Sequence, residues 1–364
     1  MKIGILTFHR AENFGAVLQC YALQSFLESQ GFEVKVIDYR CRAIEQTYYF
    51  LNVKSLFSRF NIFASILNYF NQMYQWKDRL HKKRGYEMFR KKFLHLTDPM
   101  YEIKKDLGFD VYITGSDQVW NTQLLHGLNK MYFLDFPQSE GVKRISYAVS
   151  SEQSAINELS KYESYLRHAL NNFTSISVRE NAFASELKKY TSKNIHVCLD
   201  PTFLITKENY IKLAIKPKYN NYILVYHMAE IPEGSKLAEK IARKNGAKVV
   251  EIHARFANRK DKTRHMQNVG PLELLGYIAY ANMIITTSFH GLALSLILEK
   301  NFYVISKSGN LRLRHILGEL GLSNRIIVPE NDVLTDDINY KSVSEKIRVL
   351  SEDSKKFLIN TLNN

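Results

Sequence analysis

Short apolar runs recur along the chain, each ending in polar or charged residues and most separated by stretches with helical spacing. The first set is 2–7, 32–39, 109–115, 143–151, 175–179 and 195–200, and the second is 222–228, 248–253, 283–288, 301–306 and 325–329. Runs this short and apolar throughout predict strands buried on both faces, hence parallel sheets covered by helices. Val17, Leu18, Tyr21, Ala22 and Phe26 follow helical spacing between the first two runs, which makes a βαβ unit. Between the two sets, Pro201 and the polar 216–221 stretch bracket a predicted hinge. The pattern therefore predicts an α/β protein of two doubly wound domains facing a cleft. The expected division is 1–205, 206–340, and a C-terminal helix over 341–364.

The first domain is interrupted. Val53, Leu56, Phe60, Phe63, Leu67, Phe70 and Tyr74 alternate in steps of three and four, which predicts an amphipathic helix inside an insertion over about 52–96. It runs into a basic stretch, 77–95, with eight lysines and arginines against Asp78 and Glu87. Two readings stay open. The segment packs on its own domain or on a second copy with its charges solvated, or it docks on anionic lipid headgroups with Phe side chains and Trp76 in the interface.

Composition narrows the function. At 364 residues, with 45% hydrophobic and 24% charged residues, the chain suits two ordinary globular cores. The net charge of +14 implies an acidic partner, and much of the excess lies in the insertion. Nucleic acid is disfavoured, because the basic residues carry no recognition motif and polar residues gather at strand ends instead. Cys20, Cys41 and Cys198 are far apart and have no metal-ligand spacing, so neither a disulfide framework nor a metal site is expected. No run reaches transmembrane length, which predicts a cytoplasmic protein, soluble or peripheral on the inner face of the membrane.

Candidate chemistry gathers at strand ends, where open parallel sheets bind their ligands. In the run from Ile284 to Leu298, an apolar strand ends in Thr286, Thr287 and Ser288, and Gly291 opens an apolar helix. His290 thus sits at a strand-to-helix turn, where free N–H groups and the helix dipole favour an anion and Gly291 would let it approach. A histidine there can move a proton near neutral pH, or it can merely hydrogen-bond within a capped turn. In the first domain, Asn13 is a predicted N-cap and Gly15 a close-approach position. Without a GxGxxG pattern, the loop gives little support to nucleotide binding.

Several stretches together resemble the polysaccharide pyruvyl transferase family: Asn13 to Gln19 with Tyr21 to Gln24, Gly115 to Asn121, Ser177 to Glu180, Asp200 to Thr202, and Ser288 to Gly291. The resemblance implies a GT-B-like pair of Rossmann-like domains and transfer of a pyruvyl group from phosphoenolpyruvate to two hydroxyls of a sugar. A cyclic ketal and phosphate would result, with no cofactor beyond the phosphoenolpyruvate co-substrate. The alternative is a glycosyltransferase of the same shape using a nucleotide sugar. His290 falls on the family's functional histidine, but Ser288 and Phe289 replace the usual Arg-Leu before it. On this reading Arg179, Ser288, Gly291, Arg312 and Lys307 bind the donor, with Arg314 a weaker candidate. Their cations suit a phosphate and a carboxylate. His290 is the candidate general acid or phosphate binder, and Asp117 the base on a sugar hydroxyl. His9, Arg10, Asn13, Gly15, Ser116, Gln118 and Asn121 would read the acceptor, with Trp120 as a stacking face. The acceptor could be free, nucleotide-linked or lipid-linked, and the enzyme a monomer or a homodimer.

Overall fold

The computed structural model describes residues 1–48, 73–257, 259, 261–305, 311–327 and 337–364. The helix expected over 53–74 lies outside the described residues, apart from its last two positions, as does Lys307.

The described residues form two all-parallel six-stranded sheets, each covered by helices, in the doubly wound, GT-B-like arrangement expected. The first contains β1 (Lys2–Leu6), β2 (Glu33–Val36), β3 (Val111–Gly115), β4 (Lys143–Val149), β5 (Ser175–Val178) and β6 (Ile195–Val197), in the order β2-β1-β3-β4-β5-β6. The second contains β7 (Tyr222–His227), β8 (Lys248–His253), β9 (His265–Met266), β10 (Met283–Thr286), β11 (Asn301–Ile305) and β12 (Ile326–Ile327), in the order β12-β11-β10-β7-β8-β9. Strands β3 and β7 are buried along their whole length, as apolar runs in a two-sided parallel sheet must be. Among the described strands, only β9 had no counterpart in the sequence pattern, because two residues carry no periodicity.

Each sheet reverses its order once, between β1 and β3 and between β10 and β7, and ligands of open α/β sheets bind at such points. The Phe14–Ser29 helix starts beside the first reversal, capped by Asn13, whose Oδ1 accepts the Gly15 N–H at 2.9 Å. The Phe289–Ile297 helix starts beside the second, capped by Ser288, whose Oγ accepts the Gly291 N–H at 3.2 Å. These two helix starts face one another across the domain junction.

The junction is apolar. Phe14 lies 5.6 Å from both Tyr86 and Tyr226, ring to ring, so one hydrophobic core spans both domains. The basic stretch forms the Trp76–Phe93 helix, wedged between the domains rather than lying on the outside. A Cβ on its Gly85 would stand 3.1 Å from the Cα of Gly270, so the backbones touch there. Lys82 and Arg90, expected on a solvated face, are buried. The Tyr340–Asn363 helix returns to the first domain, where Ser351 Oγ donates to Phe203 O at 2.7 Å and Lys143 Nζ to Leu362 O at 2.8 Å. Among the described residues, no helix is long and apolar enough to cross a membrane.

Candidate active site

The strand-end residues of both domains converge on Asp200. This carboxylate is fully buried and has five polar neighbours. Arg179 Nη2 lies 2.5 Å from its Oδ2, and Ser116 Oγ donates to the same oxygen at 3.1 Å. The Thr202 N–H and Oγ1 donate to Oδ1 at 2.9 and 2.7 Å. His290 Nε2, from the second domain, is 3.4 Å from Oδ2 without the alignment of a hydrogen bond. Burial pushes the Asp200 carboxyl up, but the Arg179 guanidinium and the His290 ring outweigh it. The group is held well below the usual carboxylate range. An ionised Asp200 therefore ties an arginine of one domain to the histidine of the other.

His290 is confined on its opposite edge. A Cβ on Gly15 would fall 1.9 Å from Nδ1, so only glycine fits the first turn of the facing helix. Arg179 is 5% exposed, its guanidinium carbon lies 4.8 Å from the centre of the Phe289 ring, and its Nε and Nη1 are buried without acceptors. Two donors of a buried guanidinium are thus free for a ligand.

Two cavities adjoin this constellation. A cleft of about 630 Å³ is lined by Asn13, Asp117, Gln118, Ser288, His290 and Arg312, among others. A second cavity of about 200 Å³ lies beside Phe289 and is lined by Arg179, Asp200, Arg312 and His315. Arg312 borders both, and its Nη2 lies 3.5 Å from Glu152. The loop at Ser116 and Asp117 has φ of 27° and 67°, a left-handed turn that carries Asp117 to the cleft wall.

Of the residues expected to bind the acceptor, Asn13 and Gln118 line the cleft, while Gly15 packs against His290. The others have interior partners. His9 is fully buried between Asp38 and Thr7 O, and burial pushes its pKa down. Arg10 pairs with both oxygens of Asp38. Ser116 supports Asp200, and Asn121 binds Gln118 and the N–H groups of Gln123 and Leu124. Trp120 offers no face to a sugar. It is 1% exposed, stacked on Phe133 at 4.7 Å, with Nε1 donating to Tyr132 O at 2.9 Å. Among the donor residues, Ser288 lines the cleft, whereas Gly291 is buried with its N–H on the Ser288 cap. A Cβ on Gly291 would meet Thr286 Oγ1 at 2.8 Å, so its smallness serves packing. Arg314 is exposed and lines neither cavity.

Asp200 is the candidate residue that sequence reasoning undervalued. Its signal was present as a strand-end acid before Pro201, but only the fold shows that it joins Arg179 to His290. A second cluster lies apart from this constellation: His227, Glu251 and His253 bring possible ligand atoms within 4.8 Å of one another. Their partners argue against a metal. Glu251 already accepts from His227 at 2.8 Å, Ser235 at 2.7 Å and Arg264 at 2.8 Å. His227 Nδ1 accepts the Ile231 N–H, which leaves the proton on Nε2, facing Glu251. The histidines are satisfied structural groups.

No curated protein matches the chain. Among solved structures, it is similar to the UDP-GlcNAc 2-epimerase of Neisseria meningitidis bound to UDP-GlcNAc, at 10% identity and a TM-score of 0.49, over 100% of this chain and 99% of that one. For the UDP-GlcNAc 2-epimerase of Methanocaldococcus jannaschii the figures are 14% and 0.44, over 97% and 100%. The sequence pattern described as polysaccharide pyruvyl transferase matches residues 13–309, which takes in Asn13, Asp117, Arg179, Asp200 and His290. The chain therefore belongs to the polysaccharide pyruvyl transferase family.

Proposed function

We propose that the protein transfers the pyruvyl group of phosphoenolpyruvate to two hydroxyls of one sugar, as a cyclic ketal, during assembly of a cell-surface polysaccharide such as a capsule. The observation that carries the reading is the buried Arg179, held by Asp200 beside His290 with two donors unpaired. A phosphate or carboxylate oxygen satisfies such donors with charge-assisted hydrogen bonds. Arg312 supplies the second cation in place of the family arginine whose position Ser288 occupies. N–H groups in the first turn of the Phe289–Ile297 helix add to the anion site.

In this mechanism His290 gives a proton to C3 of the enol, turning CH2 into CH3 and making C2 electrophilic. The first sugar hydroxyl adds to C2 and loses its proton to Asp117. The second hydroxyl then replaces phosphate, its proton leaving with the departing group or with solvent. One of the two hydroxyl protons balances the proton gained at C3. Asp200 does not touch substrate; its charge holds Arg179 and His290 in register.

The test is thermal stabilisation by phosphoenolpyruvate, compared with UDP-sugars and inorganic phosphate, in the native protein and in His290→Ala. Binding to the folded state alone raises the melting temperature. A shift specific to phosphoenolpyruvate and weakened in the variant supports the reading. A shift with a UDP-sugar and none with phosphoenolpyruvate would favour a glycosyltransferase. If the acceptor is lipid-linked, the exposed Lys77, Lys83, Arg84, Lys91 and Lys92 with Trp76 would hold the enzyme to the inner leaflet. Flotation with anionic but not neutral vesicles is then expected, and failure with both removes that part.

A further inference from the structure

The Trp76–Phe93 helix carries a buried cationic face that, among the described residues, no ion pair neutralises. Arg79, Lys82, Tyr86 and Arg90 are spaced three or four apart, so they form one stripe along the helix. Lys82 and Arg90 are 3% and 5% exposed. Arg90 Nε and Nη1, Arg79 Nε and Tyr86 Oη are buried without hydrogen-bond partners, and Lys82 Nζ donates to a neutral carbonyl, Ala254 O, at 2.8 Å. Among the described residues, no ion pair joins this stripe to an acid. Glu12, half-buried, is an acid whose charge favours all three cations, but among the described residues it forms no ion pair with them.

Buried cations whose counter-charge is incomplete cost stability unless a ligand supplies the rest. The stripe lies at the domain junction. Lys82 Nζ stands 5.9 Å from the Phe14 ring, at the start of the helix that confines His290, and 5.2 Å from Phe256 of the second domain. Arg79 stacks on the same Phe256 at 4.5 Å. Arg79 and Glu12 are half-buried, so this end of the stripe reaches solvent.

We propose that Arg79, Lys82 and Arg90, with the Tyr86 hydroxyl, bind the diphosphate of the acceptor. The site takes three cations and several donors, which matches the charge and the oxygens of a diphosphate ester better than those of a neutral glycan. It rests on the pyruvyl-transfer reading only for calling that ligand the acceptor. The diphosphate could carry a nucleoside or a prenyl chain, since both present the same group.

The probe is inorganic pyrophosphate, titrated calorimetrically into the full chain and into Arg90→Met, Lys82→Met, Arg79→Gln and Arg179→Lys. Native protein and Arg179→Lys should bind it. Each of the other three should lose affinity about ten- to a hundredfold, while keeping the phosphoenolpyruvate thermal shift. Without ligand, Arg90→Met should melt at or above the native temperature, since it removes an unpaired buried charge. A lower melting temperature would make Arg90 a structural cation and overturn the proposal, with Arg79→Gln as the check on a half-exposed member. Lack of pyrophosphate binding would also overturn it, as would binding lost in Arg179→Lys but kept in Arg90→Met. Loss of the phosphoenolpyruvate shift alone would sink the donor reading and leave this site standing. Competition by UDP identifies a nucleotide carrier and competition by geranyl diphosphate a prenyl one; competition by neither overturns the assignment.

Discussion

The sharpest consequence of the site geometry concerns Gly15→Ala. The added methyl would sit 1.9 Å from His290 Nδ1 and 2.3 and 2.4 Å from two ring carbons, so the imidazole must move by more than an ångström. The helix itself accepts alanine, since Gly15 lies in the first turn of the Phe14–Ser29 helix and alanine there is worth up to about 1 kcal/mol over glycine. Overpacking of this kind costs about 1–3 kcal/mol, and displacing the ring also breaks its approach to Asp200. A double-mutant cycle separates these effects. Gly15→Ala alone should destabilise by about 1–2 kcal/mol, whereas in a His290→Ala background, where the ring is gone, it should be neutral or stabilising. The coupling energy should be about 2 kcal/mol, large for one methyl group. Urea denaturation of the four proteins measures it. Gly15→Ala should also lower turnover about 10²–10⁴-fold, the range of a misplaced acid–base group. Additive stabilities together with native turnover would refute the placement of His290 against Gly15.

The other substitutions test separate parts of the constellation. Asp200→Asn leaves the Arg179 guanidinium buried opposite a neutral amide and should cost about 3–5 kcal/mol, read by urea denaturation. Trp120→Phe removes the bond to Tyr132 O and should cost about 1–2 kcal/mol while leaving the KM for acceptor unchanged; a raised KM would restore Trp120 as a sugar contact. Burial brings Lys82 down from 10.5 to about 8. Below pH 8 the folded protein therefore carries the full cost of a charged buried lysine, about 3 kcal/mol at 1.36 kcal/mol per pH unit. Because the unfolded chain binds more protons between pH 8 and 10.5, this cost fades as pH rises through that window. Lys82→Met should thus be more stable than native protein at pH 7, with the gap closing towards pH 10; a pH-independent gap would contradict the burial argument.

How much was legible in the sequence depended on whether a feature was local. Strands β1, β3, β7 and β10 were readable because a strand buried on both faces announces itself by apolarity alone. His290 was readable because strand, cap and helix adjoin one another in the chain. Trp120 and His9 were misjudged for the opposite reason. Each follows a strand end, where ligands bind, but whether a side chain turns to the cleft or to the core depends on neighbours remote in sequence. For Trp120 these are Phe133 and Phe173, and for His9 it is Asp38. The basic stretch shows the same limit in reverse. A run of lysines and arginines usually marks a solvated face, and nothing local reveals that Phe14 and Phe256 close over part of it.

The placement of Asp200 also explains how the chain can dispense with an arginine at position 288. Its charge is shared between Arg179 of the first domain and His290 of the second, so neither stands alone in a buried site. A further arginine beside His290 would add another cation to a carboxylate that already holds Arg179, whereas Ser288 caps the helix. Arg312 instead enters from the Leu311–Leu320 helix, where Glu152 lies near it and where it can reach both cavities. The donor charge would then be met by one arginine from each domain. Its binding would depend on the domains keeping their present separation, and the apolar junction around Phe14, Tyr86 and Tyr226 is what holds that separation.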